Sequence, residues 1–563
     1  MKLVGFQKTD LLMPGETRAT TVKVNTNDFM SFDCYDANEN GHAGYELDKG
    51  DYVIKAMTDA HNLREGSANN SVKYRLSDTI NVDEDDKTGN EVKPLFTGDN
   101  AVDGVSIDGK SIGEPIEYLT RANFAPLMTA YNATRAWNPG LVTCDDSKNP
   151  TAYSTNMANQ WDNAEYDVFG NKVEQTNEPT FGANNGLKVL DEKNQLTELG
   201  MKLAADYDAP EWDDLLDQLS WSEGAKIPAG QSYSRPGLKS LGLKQSKDSD
   251  YADAEGACMV GASVDGKHLT AYPDPCLQAQ TWNENMLYLF GLSEAKDMAL
   301  GGKDYLYGPA SNIHRNPYGG RHAEYHSEDG FLAGRCLANV TKGLSDGGKN
   351  GFIKHFVAND TEYHRVGLFT WMTEQALREI YLRPFEESIK RGEGCAVMSS
   401  FNRIGAIWTG GSQALCQGVL RNEWGFNGMM ITDYTENGTL QDANQMVRAG
   451  GNYILASSNF SDPTQSKATA RFKWRMRESA KQVVFGTISP LYRNYLYNSD
   501  DSHTAIVATG KAPWVWWKPA LYSVEGLVIV GLAFGIIAAL LPSNPEFRAE
   551  LIARIFKKKR EDA

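Results

Sequence analysis

The chain has 563 residues, 41% of them apolar and 23% charged, and its 56 Lys plus Arg against 73 Asp plus Glu give a net charge of −17. That length allows about three to four domains, and the apolar share supports packed cores. The acidic balance excludes nucleic acid as the main partner, because phosphate binding needs a basic surface, and neutral ligands such as sugars fit better.

The first 66 residues read as all-β. Short alternating runs such as Thr21-Val22-Lys23-Val24 and Tyr52-Val53-Ile54-Lys55 are separated by turn signals at Pro14-Gly15, Asn38 to Gly41 and Lys49-Gly50. This spacing predicts a small β-sandwich. The loop from Asp36 to Gly41 begins like a calcium-binding loop, but its twelfth position is Leu47 and Glu46 comes one residue early. An Asn/Gly-rich hairpin connection is the better reading. The N-terminus has no sustained apolar stretch, so no secretory signal is read there. Residues 67–205 carry an acidic cluster, Asp83 to Asp86, then an Asn-, Thr- and Asp-rich stretch of little periodicity, and predict an extended connector.

From Trp212 the texture changes, and residues 206–470 alternate short apolar runs with amphipathic helices. Trp212, Leu215, Leu216 and Leu219 have helical spacing. Thr373 reads as an N-cap, with Leu377, Ile380, Tyr381, Phe385 and Ile389 on one face behind it. Ser412 opens another helix through Leu415, Val419 and Leu420. The apolar runs end in polar residues. Phe352-Ile353 leads into Lys354-His355, Cys395 to Met398 into Ser399-Ser400, and Met429 to Thr432 into Asp433. Lys354, Met398 and Asp433 lie 44 and 35 residues apart, which suits one βα unit each. Buried parallel strands with polar C-terminal ends are what the active face of a (β/α)₈ barrel requires. A doubly wound sheet alternates in the same way, but no glycine-rich phosphate loop follows any strand.

Residues 472–484 predict a basic amphipathic helix packed on the barrel, and 501–519 a polar linker. Residues 520–541 contain one charge, Glu525, in a stretch close to the about 20 residues a spanning helix needs. Trp514, Trp516, Trp517 and Tyr522 stand at one flank and Lys557 to Arg560 beyond the other. Aromatic-belt and positive-inside logic predict a single-pass transmembrane helix, an extracellular body and a basic cytoplasmic tail over 542–563. The seven cysteines, Cys34, Cys144, Cys258, Cys276, Cys336, Cys395 and Cys416, contain no CxxC pair and read as buried small side chains or free thiols.

Asp433 stands out chemically. A carboxylate at the end of a buried strand must be paired or hydrogen-bonded, and Lys354 and His355 can supply that pairing. Nearby cations would hold its pKa low and keep it ionised, as a nucleophile needs, although a structural ion pair fits the same pattern. Five of the nine histidines, His314, His322, His326, His355 and His364, fall within 51 residues. Ala323 follows His322, so HExxH is not met, and sugar-hydroxyl binding by Arg321, His322, Lys354 and His355 is favoured over a metal. No metal or organic cofactor is indicated.

The stretch Gly308-Pro-Ala-Ser-Asn-Ile-His-Arg-Asn-Pro-Tyr-Gly-Gly-Arg-His-Ala-Glu-Tyr-His-Ser-Glu-Asp329 resembles the signature of glycoside hydrolase family three, the β-glucosidase and β-xylosidase family. Matching motifs follow at Lys354 to Asp360, Arg378 to Glu386, Val397 to Arg403 and Leu420 to Asp433, with Asp253 to Gly256 and Gln280 to Asn283 before them. The resemblance covers about residues 211–457 and implies an α/β fold with a TIM-type barrel. It implies that Asp433 is the catalytic nucleophile of a retaining β-glycosidase. It also implies that Asp253, Arg321, Lys354 and His355 grip the sugar hydroxyls and that Met398 lines the same subsite. Residues 1–66 are similar to the fibronectin type III-like domain of many members.

The chain departs from the family pattern in three ways. Its fibronectin-like region comes first, and no stretch resembles the family's α/β sandwich, which usually carries the general acid/base. Members without the sandwich use an Asp-x-His pair, which Asp360-Thr-Glu-Tyr-His364 does not match; Glu362 and Glu324 are weak substitutes. Phe401 stands where many members have Tyr, removing one hydrogen bond near the nucleophile. The chain therefore looks like a member that lacks its first part. Its expected partners are a β-glycoside substrate, the membrane and a separate sandwich chain. A sugar-binding or weakly active surface protein is the alternative to a complete enzyme.

Overall fold

In the computed structural model the described residues are 2–64, 70–96, 177–229, 233–250, 263–264, 267–268, 270, 272–363, 365, 368–405, 407–435, 441, 443–456, 469–500, 522–532 and 544–561. They divide into two units, Met1–Ser499 and Asp500–Ala563.

Five strands open the first unit: β1 (Ser31–Asp33), β2 (Gly44–Leu47), β3 (Gly50–Lys55), β4 (Ser71–Leu76) and β5 (Ile80–Val82). β2 lies between β1 and β5 in one antiparallel sheet, and β3 and β4 pair as a hairpin from Gly50 opposite Leu76 to Lys55 opposite Ser71. Both sheets use strands beyond residue 66, so the β region runs to Val82 and the expected boundary at 66 falls inside the hairpin. The Asp36–Gly41 loop is closed by its own polar side chains. The Asp36 carboxylate accepts the amides of Asn40 and Gly41, while Asn38 and Asn40 donate to Glu46 at 2.7 Å each.

The larger part of this unit is a curved parallel sheet. Its strands are β6 (Asp248–Asp250), β7 (Tyr305–Tyr307), β8 (Asn350–Gly351), β9 (Ile353–Phe356), β10 (Ala396–Ser399), β11 (Met429–Thr435) and β12 (Tyr453–Ala456). β6, β7 and β8 pair in parallel, as do β9 through β12, and a parallel bridge from Ala310 to Lys354 joins the two groups. Neighbours in the sheet therefore follow chain order. The crossovers include α1 (Glu284–Leu300), α2 (Gly330–Asp346), α3 (Arg383–Lys390), α4 (Ala414–Glu423) and α5 (Ala443–Ala449).

Successive strand residues point to opposite faces, and the two faces collect separate cores. Tyr305, Tyr307, Phe352, Ala396, Met398, Met429, Ile431, Tyr453 and Leu455 converge on one cluster. Ile353, Val397 and Met430 point the other way, against Leu337, Phe385, Leu415 and Val419 of the helices. Inner side chains from β7, β10, β11 and β12, with Phe352 from between β8 and β9, thus share one core on the inner face of an α/β fold. Close approach of β10 and β11 depends on Gly428, where a Cβ would lie 2.0 Å from the carbonyl oxygen of Cys395. Gly428→Ala should lower the unfolding free energy by roughly 1–3 kcal/mol, read as a lower urea midpoint.

The long helix α6 (Ala470–Ser499) crosses the starts of these strands. Asn350 donates to the Gly486 carbonyl, the Tyr305 hydroxyl to Thr487, and Cys395 Sγ lies 3.4 Å from Ser489 Oγ. Ala480, Val483, Val484 and Ile488 fill the same inner cluster. Because α6 takes the N-terminal ends of the strands, the polar residues gather at the C-terminal ends.

In the second unit, residues 522–532 are helical with their apolar side chains exposed, and a further helix spans Pro545–Glu561. Among the described residues no helix is long and apolar enough to cross a membrane. This corrects the expected transmembrane helix over 520–541, and with it the single-pass membrane localisation. At 1.5 Å per residue the described helical residues 522–532 span about 16 Å, against about 30 Å of hydrocarbon. The remainder of 520–541 and the expected linker at 501–519 lie outside the described residues.

Candidate active site

Asp433 lies near the C-terminal end of β11, two residues beyond the inward-facing Ile431, where the pairing with β12 shifts register between Ile431 and Tyr434. It is buried. Its Oδ1 accepts the Tyr434 amide at 2.6 Å. Its Oδ2 lies 3.4 Å from His355 Nε2 but outside hydrogen-bond alignment, and has no hydrogen-bond partner among the described residues. One oxygen is thus held while the other is left open.

His355 sits on β9 with its backbone amide and carbonyl both bonded to the Asn312 side chain, at 3.0 and 2.9 Å. Its Nδ1 is 3.4 Å from the Tyr325 hydroxyl. Burial, then the charges of Arg321, Lys354 and Arg365, push its pKa well below the ordinary value. The imidazole is neutral at pH 7, so its contact with Asp433 is not an ion pair. Asp433 itself is pushed up to about 6 by burial, against the pull of Arg321, Arg365, the Tyr434 amide and Lys354. This corrects the expectation of a low pKa. The cations are present, but loss of water outweighs them. At pH 7 the carboxylate is still ionised in about nine-tenths of molecules.

Arg321 lies in the loop after β7. Its guanidinium donates to Glu324 at 2.5 Å and to Glu362 at 3.3 Å. Burial opposes the charge, but Tyr325, Glu324, Glu362 and Asp433 hold its pKa above the ordinary range. Lys354, on β9, lies 3.2 Å from Asp250 at the end of β6. Met398 is buried on the inner face of β10. Asp253 lies outside the described residues, as does His364.

The remaining histidines support the loop that carries Arg321. His314 Nε2 lies 3.0 Å from the Tyr325 carbonyl, and His326 Nδ1 is 3.0 Å from Ser311 Oγ, with its pKa pushed down to about 3 by burial. Among the described residues no group of three His, Cys, Asp or Glu side chains is arranged to hold a metal ion. The sequence did not mark Asp250, Tyr325, Asn359 or Arg365. Tyr325 and Asn359 lie inside the motifs at 308–329 and 354–360, which could have drawn attention to them.

Parallel strands that present a carboxylate, a guanidinium, an ammonium and an imidazole at their C-terminal ends define an α/β fold of the enzyme type. Within that class, residues 255–461 match the glycosyl hydrolase family 3 N terminal domain. A β-glucosidase of Ruminococcus albus is 28% identical over 475 residues, covering 81% of this chain and 43% of that protein. A β-glucosidase of Rhizobium radiobacter is 33% identical over 223 residues, covering 39% of this chain and 27% of that one. The solved structure of a β-glucosidase from Paenibacillus barengoltzii superposes with a TM-score of 0.59 at 24% identity, over 87% of this chain and 49% of that one, a likeness of fold. The sequence matches support a relation to glycoside hydrolase family three, and the superposition supports the fold. The chain spans less than half the length of these relatives.

Proposed function

We propose that the chain cleaves terminal, non-reducing β-linked sugars by a retaining double displacement, with Asp433 as nucleophile. The observation that carries this is the open, buried Oδ2 of an otherwise anchored carboxylate beside Arg321, Lys354 and His355. In the first step Oδ2 bonds to the anomeric carbon while the bond to the leaving oxygen breaks, and an acid supplies that oxygen with a proton. Water then attacks the anomeric carbon, releasing Asp433. Asp253, Arg321, Lys354 and His355 bind the hydroxyls of the glycone, the terminal sugar that Asp433 attacks, and Met398 lines their pocket. Unmatched donors in such a site are costly, which gives discrimination between hydroxyl patterns.

Glu362 uses both oxygens on guanidinium groups, Arg321 on one and Arg365 on the other, which suits an orienting carboxylate better than a proton donor. The acid/base is therefore proposed to come from a separate α/β sandwich chain. The β region through Val82 is proposed as the fibronectin type III-like module. The second reading, a sugar-binding or weakly active protein, is favoured by the absence of an assignable acid among the described residues. Alkyl glycosides separate the two: a complete enzyme hydrolyses them, whereas a chain without its acid turns over only activated aryl glycosides.

The direct test is a fluorinated glycoside with an activated aryl leaving group, which needs no acid and arrests at the glycosyl-enzyme. Peptide mass spectrometry should find the added sugar on Asp433; a label elsewhere, or none, overturns the assignment. The labelling rate should rise with ionisation of Asp433, with a midpoint near the value of about 6 that burial imposes.

A further inference from the structure

Two loops meet beside Arg321. One follows β7 and carries Ile313, Arg315, Gly319 and Arg321; the other follows β9 and carries Asp360, Thr361 and Glu362. The Ile313 amide donates to Asp360 Oδ1 at 3.0 Å, Arg315 to the Thr361 hydroxyl at 2.9 Å, and the Glu362 amide to the Gly319 carbonyl at 2.8 Å. The loops approach so closely that a Cβ on Gly319 would lie 2.8 Å from the Asp360 carbonyl oxygen. Asp360 is 3% exposed, yet its Oδ2 has no hydrogen-bond partner among the described residues. Arg315 Nε lies 4.0 Å from that oxygen, on a side chain that is half open to water.

We infer that Asp360 is a proton-operated latch between these loops: uncharged, it is held between them, and its ionisation favours their parting, which frees Arg321 and Glu362 from their places in the proposed sugar site. The latch stands on the contacts above; its effect on sugar binding rests on the proposed roles of Asp433 and Arg321. A carboxyl shut between two loops, with a half-exposed guanidinium at 4.0 Å as counter-charge, is stable as the neutral acid and costly as the anion. Burial accordingly pushes Asp360 up to about 7, against the pull of the Ile313 amide and Arg315. Among the described residues the titratable groups that act on it are Arg315, Tyr325 and Tyr381. Burial raises both phenols above their ordinary range, so the guanidinium is the charge that Asp360 meets there. In parted loops water would return the carboxyl to its ordinary value of about 4. The joined loops thus bind more protons than the parted ones between pH ~4 and ~7, and a rise in pH through that window favours parting.

The experiment is amide hydrogen exchange of the full chain at pH ~5 and ~8, corrected for the chemical exchange rate, in wild type, Asp360→Asn and Arg315→Gln. In wild type, exchange of residues 313–321 should speed up at least about 10-fold between the two, because most of the linkage window lies in that interval. Asparagine keeps an acceptor for the Ile313 amide and cannot ionise. Asp360→Asn should therefore lose the rise and keep at pH ~8 the protection it has at pH ~5. Arg315→Gln removes the counter-charge and should steepen the rise. Labelling by the same fluorinated aryl glycoside gives the second readout. The concentration for half-maximal labelling should rise several-fold in wild type from pH ~6 to ~8 and stay level in Asp360→Asn. An equal rise in exchange in wild type and Asp360→Asn, or faster exchange in the variant at both pH values, marks a merely structural role and overturns the inference. If Asp360→Asn does not fold, an unchanged rise in Arg315→Gln overturns it. A wild type without label on Asp433 overturns the proposed function, and the exchange arm then still decides the latch. A labelled wild type whose exchange does not change with pH overturns the latch alone.

Discussion

Asp433→Asn should reduce labelling and turnover of an activated aryl glycoside by about 10³-fold or more, while making the fold more stable at neutral pH. The two effects share one cause. Burial raises the carboxyl to about 6 in the folded chain, from the ordinary aspartate value of about 4. Between those values the folded state binds more protons than the unfolded state, so stability falls as pH rises. The contribution is fully present below about pH 4 and is lost as pH passes through about 6. A shift of about two units corresponds to roughly 3 kcal/mol. An asparagine cannot ionise, so it escapes that loss. It also removes the anion that favours Arg321 and Lys354, which reduces the gain to about 1–3 kcal/mol at pH ~7.5 and nearly nothing at pH ~4. Urea midpoints of wild type and variant at the two pH values measure this directly. An unchanged rate, or a variant less stable than wild type at pH ~7.5, would remove Asp433 from the centre of the mechanism. Asp433→Ala should lose the same activity but gain less stability, because it also leaves a cavity.

The pattern that led to Asp433 was local, and that is why it was legible. An apolar run ending in polar residues needs only the period of a strand, and the Thr373 cap needs only three residues: its side chain accepts the Ala376 amide at 3.2 Å. The partners of the site residues obey no such rule. Asn312 clasps His355 from 43 residues away, Glu362 reaches Arg321 from 41, and Asp250 meets Lys354 from 104. The pairs join strand ends and loops at the same end of the sheet, and the period within one element does not show which distant segment meets it. The raised Asp433 pKa was hidden for a related reason. Sequence shows which charges are present, whereas the shift depends on how much water the folded neighbours exclude. The tail shows the opposite failure, where a clear composition at 520–541 stood in for a helix that the described residues do not extend far enough to supply.

Arg378→Met should cost about 3–5 kcal/mol of stability, because it leaves buried carboxylates without their cation. Arg378 is 2% exposed. Its Nε donates to Glu374 at 2.8 Å, one terminal nitrogen to both Glu423 oxygens at 2.8 and 2.9 Å, and the other to the Lys93 carbonyl at 3.2 Å. Its guanidinium lies 4.4 Å from the centroid of the Phe32 ring, and Glu374 also accepts the amides of Leu95 and Phe96. One side chain thus ties the N-terminal β region and the segment before residue 97 to the helical wall behind the active sheet. Methionine keeps much of the volume but none of the donors. The loss should depend on pH. Burial already raises Glu423 against the pull of Arg378, so without that cation it takes a proton more readily. Protonation removes the unpaired charge, and the deficit of the variant should shrink between pH ~7.5 and ~5. Glu423→Gln removes the same charge by substitution. In that background Arg378→Met should cost at least about 1 kcal/mol less than in wild type, a coupling of the size expected within one buried network. Equal losses in both backgrounds would mean that Arg378 stabilises through packing on Phe32 and the backbone bonds alone. The ion pair would then be a tolerated cost of joining the two parts, with the apolar contacts as the true tether.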